Sequence, residues 1–264
     1  MLTAPRPHLD LTRTLMLEIV TSPALPVKHG FFTRKGGASS GIFAGLNCGP
    51  GSTDQTDIVA INRARVAGAL GATPDQLLTL HQVHSARVIT VSEPFDQRPE
   101  ADAMVTTTPG LVLGVLTADC QPVLFADPGA GVIGAAHAGW RGVASGVLEA
   151  TIDAMEALGA RRAQISAVIG PTISQRAYEV GPEFYETFVD DTVSNARFFI
   201  KGTADRYLFD LPSFGLHRLR SAGVGSAEWT RHCTYSDAAR FYSYRRSVHL
   251  GEADYGRLIS AIRL

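Results

Sequence analysis

The sequence predicts an α+β fold in which mixed β-sheets are flanked by helices, and three observations carry that prediction. The centre of the chain holds continuous apolar runs, among them LVLGVLT (111–117), PVLFA (122–126) and GVIGAAHA (131–138), the pattern of strands buried on both faces. Segments with helical spacing of apolar residues lie on either side of that centre. No repeat, low-complexity linker or charge run divides the 264 residues. They read as a single domain over 28–264 behind a lead-in at 1–27 that holds four prolines.

Taken in order, HGFFTR (29–34) reads as a strand and KGGASSGIFAGLNCG (35–49) as a Gly/Ser-rich loop. Residues 54–71 place Ile58, Val59, Ile61, Val66 and Leu70 at near-helical spacing and stop at Gly71. LLTL (77–80), RVITV (87–91) and AMVTT (103–107) join the central runs as strands. The strongest helix is RGVASGVLEATIDAMEALG (141–159), apolar along Val143, Val147, Ile152, Met155 and Leu158 and closed by Gly159. Strand ISAVIG, helix PEFYETFVDD, strands RFFIK and RYLFD, and helix LPSFGLHRLRSAG behind Asp210 follow. FYSYRR (241–246) and LISAIRL (258–264) read as closing strands.

Composition narrows the function. Lys plus Arg number 24 against 25 Asp plus Glu, so no basic excess exists to neutralise a nucleic-acid backbone. The N-terminal segment carries Asp10, Arg13 and Glu18 among its apolar residues and is no signal peptide. No run reaches the ~18 apolar residues of a membrane span. Three cysteines, Cys48, Cys120 and Cys233, form no disulfide framework and suit a reducing, cytoplasmic compartment.

Two polar clusters interrupt this apolar pattern. Asp119-Cys120 follows one buried run and His137-Ala138-Gly139-Trp140-Arg141-Gly142 ends another, while HQVHS supplies His81 and His84. His84, Cys120 and His137 make a His₂Cys set, whose three ligands leave a fourth zinc position open as catalytic sites do. The gaps of 36 and 17 residues match no short zinc signature, and a buried thiol with a satisfied core histidine is the plain alternative. Equally open is a metal-free dyad of Cys120 as nucleophile and His137 as base, oriented by Asp119 or Gln121. If LHQVHS is a strand, His81 and His84 face opposite sides; if it turns, both can face one site. HAGWRG opens a helix with an Arg beside it, an arrangement suited to anions, although core filling by Trp140 and a surface Arg141 serve equally well. TRKGGASSG lacks the terminal Lys-Ser/Thr of a P-loop and is a weak phosphate signal.

The ordered set TRKGGASSGIFAGLN, HQVH, ADAMVT, TADCQPVL, HAGWRG, IGPTIS with YEVG, FDL, CTY and FYSYRR resembles one family from about residue 28 to the C-terminus. That family was first described as laccase-domain or multicopper polyphenol oxidases and is better described as zinc-containing purine nucleoside phosphorylases. The resemblance implies zinc ligands at His84, Cys120 and His137. It also implies a fold related to the catalytic domain of cytotoxic necrotizing factor toxins. Ser85 stands where the family usually has Gly.

Implied activities are phosphorolysis of adenosine, inosine, guanosine and methylthioadenosine, and deamination of adenosine. An alternative within the family is an amidase that removes a serine-containing peptidoglycan precursor. A multicopper oxidase is excluded: it needs roughly ten His with H-x-H pairs, and this chain has eight His and no such pair. Deamination requires acidified water at C6 and a carboxylate to carry protons, for which Asp119 and Glu179 are the candidates. Phosphorolysis requires arginine forks for phosphate, with Arg34, Arg141 and Arg245 the candidates.

Overall fold

The structure is a computed structural model that describes residues 16–264. Most of the lead-in, with its Asp10 and Arg13, lies outside the described residues. The strands are β1 (Ile19–Val20), β2 (Lys28–Phe32), β3 (Leu77–Thr79), β4 (Val88–Thr90), β5 (Ala103–Thr106), β6 (Val112–Thr117), β7 (Gln121–Asp127) and β8 (Val132–Ala138) in the first half. β9 (Ser166–Ile169), β10 (Glu179–Val180), β11 (Phe199–Lys201), β12 (Tyr207–Phe209), β13 (Ser226–Trp229) and β14 (Leu258–Arg263) complete them. The α-helices are α1 (Thr56–Ala69), α2 (Trp140–Ala144), α3 (Val147–Ala157), α4 (Pro182–Asp191), α5 (Leu211–Ser221) and α6 (Tyr244–Leu250).

Two large mixed sheets stack on one another. One has the order β1-β2-β14-β6-β3 and the other β13-β9-β7-β8-β5-β4; a small sheet β10-β12-β11 joins the core of the second through Val180, Phe199 and Phe209. Between the large sheets sit Phe31, Leu113 and Ile262 from the first and Met104, Leu124 and Ile133 from the second. The outer face of the first sheet packs Phe32, Val112 and Ala261 against Val66, Ala67 and Leu70 of the α1 segment. On the outer face of the second sheet, Val105, Phe125 and Ala136 meet Val147, Ile152 and Met155 of α3 and Phe214 of α5. Four layers result, helix–sheet–sheet–helix, which is why the central strands read as apolar on both faces. Each fully buried Leu, Ile or Phe contributes about 1.5–3 kcal/mol.

The expected α+β architecture is present, with differences in detail. The helix expected over 141–159 is two helices, broken at Gly146, whose φ of 92° no helical residue adopts. FYSYRR is not a strand: its last three residues open α6, because the Ser243 side chain accepts from Arg246 N (3.1 Å) and caps the turn. HQVHS is a loop between β3 and β4, touching sheet structure only through a bridge of His81 to Glu100. Strand β13, parallel to β9 at the sheet edge, was not expected.

Candidate metal centre and substrate cavity

The β7–β8 hairpin brings Cys120 and His137 together. Asp127 ends β7, and its Oδ1 accepts from Gly129 N (3.1 Å) and Ala130 N (3.2 Å), closing the turn. The register pairs Pro122 with His137 and Gln121 with Ala138, so the 17-residue gap in sequence becomes a cross-strand neighbourhood. Gly139 follows at once, and a Cβ there would lie 2.9 Å from His84 Cδ2 and 3.0 Å from Cys120 Sγ. Only glycine lets the chain pass this close to both side chains.

His84 arrives from the β3–β4 loop, and one buried carboxylate fixes it. Asp102, immediately before β5, is fully buried. Its oxygens accept the backbone N–H groups of Val83 (3.2 Å), His84 (3.0 Å) and Ser85 (2.6 Å) and the Ser85 hydroxyl (2.8 Å). The Ser85 hydroxyl therefore adds a hydrogen bond that a glycine at this position would lack. Asp102 Oδ1 also lies 2.8 Å from His137 Nδ1. That bond fixes the imidazole with Nδ1 toward Asp102 and its other nitrogen toward the cluster, the usual arrangement behind a metal-binding histidine.

Backbone strain concentrates here. His84 has φ 61° and Asp119 φ 90°, both outside the ordinary range for side-chain-bearing residues. Each costs on the order of 1–3 kcal/mol and persists because the surroundings hold it. For His84 the holder is Asp102. For Asp119 it is a carboxylate network: Thr234 Oγ1 donates to Oδ1 (2.6 Å), and Ser243 Oγ (2.9 Å) and Arg245 N (2.7 Å) donate to Oδ2. Both side chains flank the turn that presents Cys120.

The ligating atoms of His84, Cys120 and His137 all lie within 4.8 Å of one another, with Cys120 Sγ 3.9 Å from His84 Nε2. Tetrahedral zinc with N and S ligands calls for donor separations of roughly 3.3–3.7 Å, so small rotations of exposed His84 complete the set. Soft thiolate plus imidazole is a zinc-type donor group. In the protein alone the cluster is already polarised. Burial would push the Cys120 thiol up, but the adjoining His137 imidazole, helped by His84, brings it down to about 6. Burial would lower His137, yet the Cys120 thiolate and the Asp102 carboxylate lift it to about 9. Asp102 is held down to about 2 against its own burial by His137 and Ser85. A thiolate ready for a cation is the outcome.

Two lobes of one cavity open over the cluster and share His84, Ala118, Cys120, Arg141 and Tyr244. The narrower lobe, about 410 Å³, is walled by Trp140, Tyr178, Ile173 and Leu211, with Arg245 and Asp119. Trp140 rests on Phe184 (4.7 Å between centroids), and the Arg141 guanidinium lies 5.0 Å over its ring. Arg245 lies 5.3 Å over Tyr178, with its Nη1 on Glu179 O (2.7 Å). The wider lobe, about 690 Å³, reaches past His81 to Arg98 and Arg257.

Not every expected residue reaches the cavity. Arg34 lines neither lobe: its guanidinium donates to Ala44 O (2.8 and 3.0 Å) and Ala238 O (3.2 Å) and lies 4.4 Å over Tyr242. The Gly-rich loop behind it folds on itself, with Gly37 pressed on the backbone of Gly45 and Leu46. Glu179 is exposed and meets Arg245 only through its backbone oxygen. Asp119 is 8% exposed, and the donors around it occupy its carboxylate; burial nonetheless raises its pKa, opposed by Arg245 N, Thr234 and Ser243. Sequence reading missed Asp102, Tyr178 and Tyr244. Asp102 lay in plain view in ADAMVT, a carboxylate one residue before a wholly buried strand.

This four-layered α+β fold with a His/Cys cluster at the ends of central strands defines a known class. Residues 28–264 match the family model described as multi-copper polyphenol oxidoreductase laccase, and the chain belongs to that family. It is 43% identical over 232 residues to a purine nucleoside phosphorylase of Deinococcus radiodurans, covering 88% of each chain. With the purine nucleoside phosphorylase YfiH of Escherichia coli it shares 39% identity over 83% of this chain and 88% of that protein. Among solved structures, the Neisseria meningitidis protein NMB0706 superposes with a TM-score of 0.85 at 36% identity, covering 94% of this chain and 98% of that one. Among the described residues, no helix is long and apolar enough to cross a membrane.

Proposed function

We propose that the chain is a zinc-dependent purine nucleoside phosphorylase, a single catalytic domain over 28–264 acting in the cytoplasm. Its substrates in this reading are adenosine, inosine, guanosine or methylthioadenosine with orthophosphate, and its products are the free base and the sugar 1-phosphate. The observation that carries the reading is the His84/Cys120/His137 cluster at the floor of a cavity with one aromatic and one basic lobe. Relatives named purine nucleoside phosphorylase support it.

His84, Cys120 and His137 would hold the zinc, which supplies Lewis-acid chemistry when bound. Trp140, Tyr178 and Tyr244 offer apolar faces to a purine. As the glycosidic bond breaks, negative charge builds on the base and positive charge on the sugar. Arg245, which borders the aromatic lobe, stabilises the first. The Tyr178 phenol, pushed up by burial, stays protonated and serves as a neutral donor. Arg141, common to both lobes, lies between base and phosphate.

Adenosine deamination is a lesser activity in this reading. Among the described residues Asp119 is the one carboxylate that borders either lobe, and its oxygens are committed to Thr234, Ser243 and Arg245 N. Asp119 acts as a positioning group for Cys120 and α6. A second reading has one observation in its favour: Asp102, His137 and Cys120 stand in the order of an acid–base–nucleophile triad, as an amidase acting on a serine-containing peptidoglycan precursor would use.

Incubating the purified protein with inosine, with and without orthophosphate, and separating the products tests the proposal. Hypoxanthine and ribose 1-phosphate are expected only with phosphate. Base release independent of phosphate would contradict phosphorolysis.

A further inference from the structure

The wider lobe is an electrostatic anomaly in a chain of formal net charge −1. It is lined by Arg98, Arg141 and Arg257 together with His81, His84 and His137, and among the described residues no Asp or Glu lines it. Arg98 is exposed and makes no ion pair among the described residues. Arg257 is held in place, its stem packed across Gly49, with Nη1 on Tyr255 O (3.1 Å) and Nη2 3.5 Å from Asp254 Oδ1. Asp254 in turn accepts from Thr53 N and Thr53 Oγ1 (2.7 and 3.1 Å) and from Tyr255 N (2.7 Å), which fixes the acid that orients Arg257. Behind the same Pro50 wall lies Arg63, largely buried, whose donors reach only Cys48 O, Leu77 O and Thr79 Oγ1. No carboxylate pairs with it among the described residues, and Arg98 is close enough to lower its pKa further after burial has done so.

A second observation is independent of charge. Thr117, at the end of β6, borders the same lobe and is 3% exposed, yet its hydroxyl has no hydrogen-bond partner in the protein. A buried hydroxyl left unpaired costs about 1–3 kcal/mol, and such groups mark places where a ligand or water completes the bonding.

We propose that this lobe is the orthophosphate subsite, with Arg98 and Arg257 forming its far wall, Arg141 its near edge, and the Thr117 hydroxyl a neutral donor to the anion. Guanidinium forks suit phosphate oxygens, and the lobe presents no lining carboxylate to a dianion, its flanking acids being Glu100, 4.0 Å from His81, and Asp254, 3.5 Å from Arg257. The assignment rests on the phosphorolysis reading and moves phosphate away from Arg34, whose donors are spent on the Gly-rich loop. It also separates the two substrates: base in the aromatic lobe, phosphate in the basic one, meeting over the cluster.

The test is calorimetric titration of orthophosphate into zinc-loaded protein in the absence of nucleoside, for wild type, Arg98→Gln, Arg257→Gln and Thr117→Val. Arg98 is on the surface, so its variant folds whatever becomes of Arg257, which packs on Gly49. Loss of one charge-assisted contact is expected to weaken phosphate about tenfold in Arg98→Gln and Arg257→Gln, and less in Thr117→Val. In turnover assays the apparent KM for phosphate should rise in parallel, while the KM for inosine moves less than about twofold. Phosphate binding equal in wild type and both arginine variants, or undetectable in wild type, would overturn the subsite. Should wild type bind phosphate through these residues but release no base, the subsite would stand and the phosphorolysis reading would fall.

Discussion

Replacing Asp102 by Asn is expected to release zinc and to destabilise the protein together. The carboxylate accepts from His137 Nδ1, from three consecutive backbone N–H groups and from the Ser85 hydroxyl. An amide offers one acceptor oxygen, and its NH₂ turns donor against donor on either the loop or the imidazole. Loss of a partner behind a metal-binding histidine lowers metal affinity about 10–100-fold. Leaving buried donors unpaired adds a folding penalty of about 3 kcal/mol. The sign with pH follows from the depressed carboxyl. Held down to about 2 in the folded protein, Asp102 stabilises in full above its ordinary value of 3.8 and loses that contribution as pH falls through 2. The Asn variant should therefore show a smaller loss of stability on acidification. Zinc titration against a competing chelator and urea unfolding at pH 7 and pH 3 measure both effects. Wild-type zinc affinity in Asp102→Asn would mean that His84 and His137 do not depend on this carboxylate.

The second large effect concerns Cys120, where ligand and nucleophile make opposite predictions. A thiolate bound to zinc is shielded, so iodoacetamide should label Cys120 slowly in the zinc-loaded protein and rapidly once the metal is stripped. In stripped protein the neighbouring His137 holds the thiol down to about 6. Labelling should accordingly stay fast at neutral pH and fall as pH drops through about 6, not through the ordinary 9.0. Cys120→Ser should lose more than ~100-fold in kcat/KM along with its zinc. Rapid labelling of the zinc-loaded enzyme, or Cys120→Ser with full zinc content, would favour the triad and the amidase. Cys233, whose sulfur accepts from Ser174 and Ser236, supplies a second labelled position and an internal control.

Much of this centre was legible in the sequence because the hairpin is local. Two apolar runs around DPGAG can hardly avoid pairing, and pairing carries Cys120 to the end of β7 beside His137. His84 was legible only through the family's ordered motifs, since nothing in LHQVHS announces a loop with φ 61°. The reason lies in Asp102, eighteen residues on in sequence, whose carboxylate collects the loop's N–H groups. Long-range hydrogen bonds of that kind leave no periodic trace. FYSYRR misled for a related reason. Alternating aromatics resemble a strand, but Asp119, far back in the chain, accepts from Ser243 and Arg245 N and starts a helix there. Arg34 looked like a phosphate ligand because it precedes the glycine pair of TRKGGASSG, and only the fold revealed that backbone carbonyls occupy it. Conversely Arg98, Arg257 and Thr117 sit in unremarkable sequence and gain meaning only from sharing one cavity wall.

In the proposed function His84, Cys120 and His137 form a single zinc site on which phosphorolysis depends. Elemental analysis of protein purified without added metal, for wild type and for His84→Ala, tests it most directly when paired with the inosine assay on the same samples. About one zinc per wild-type chain is expected, less than about a tenth of that in His84→Ala, and phosphate-dependent base release that tracks zinc content. Stoichiometric copper, or undiminished phosphorolysis from a metal-free chain, would contradict it.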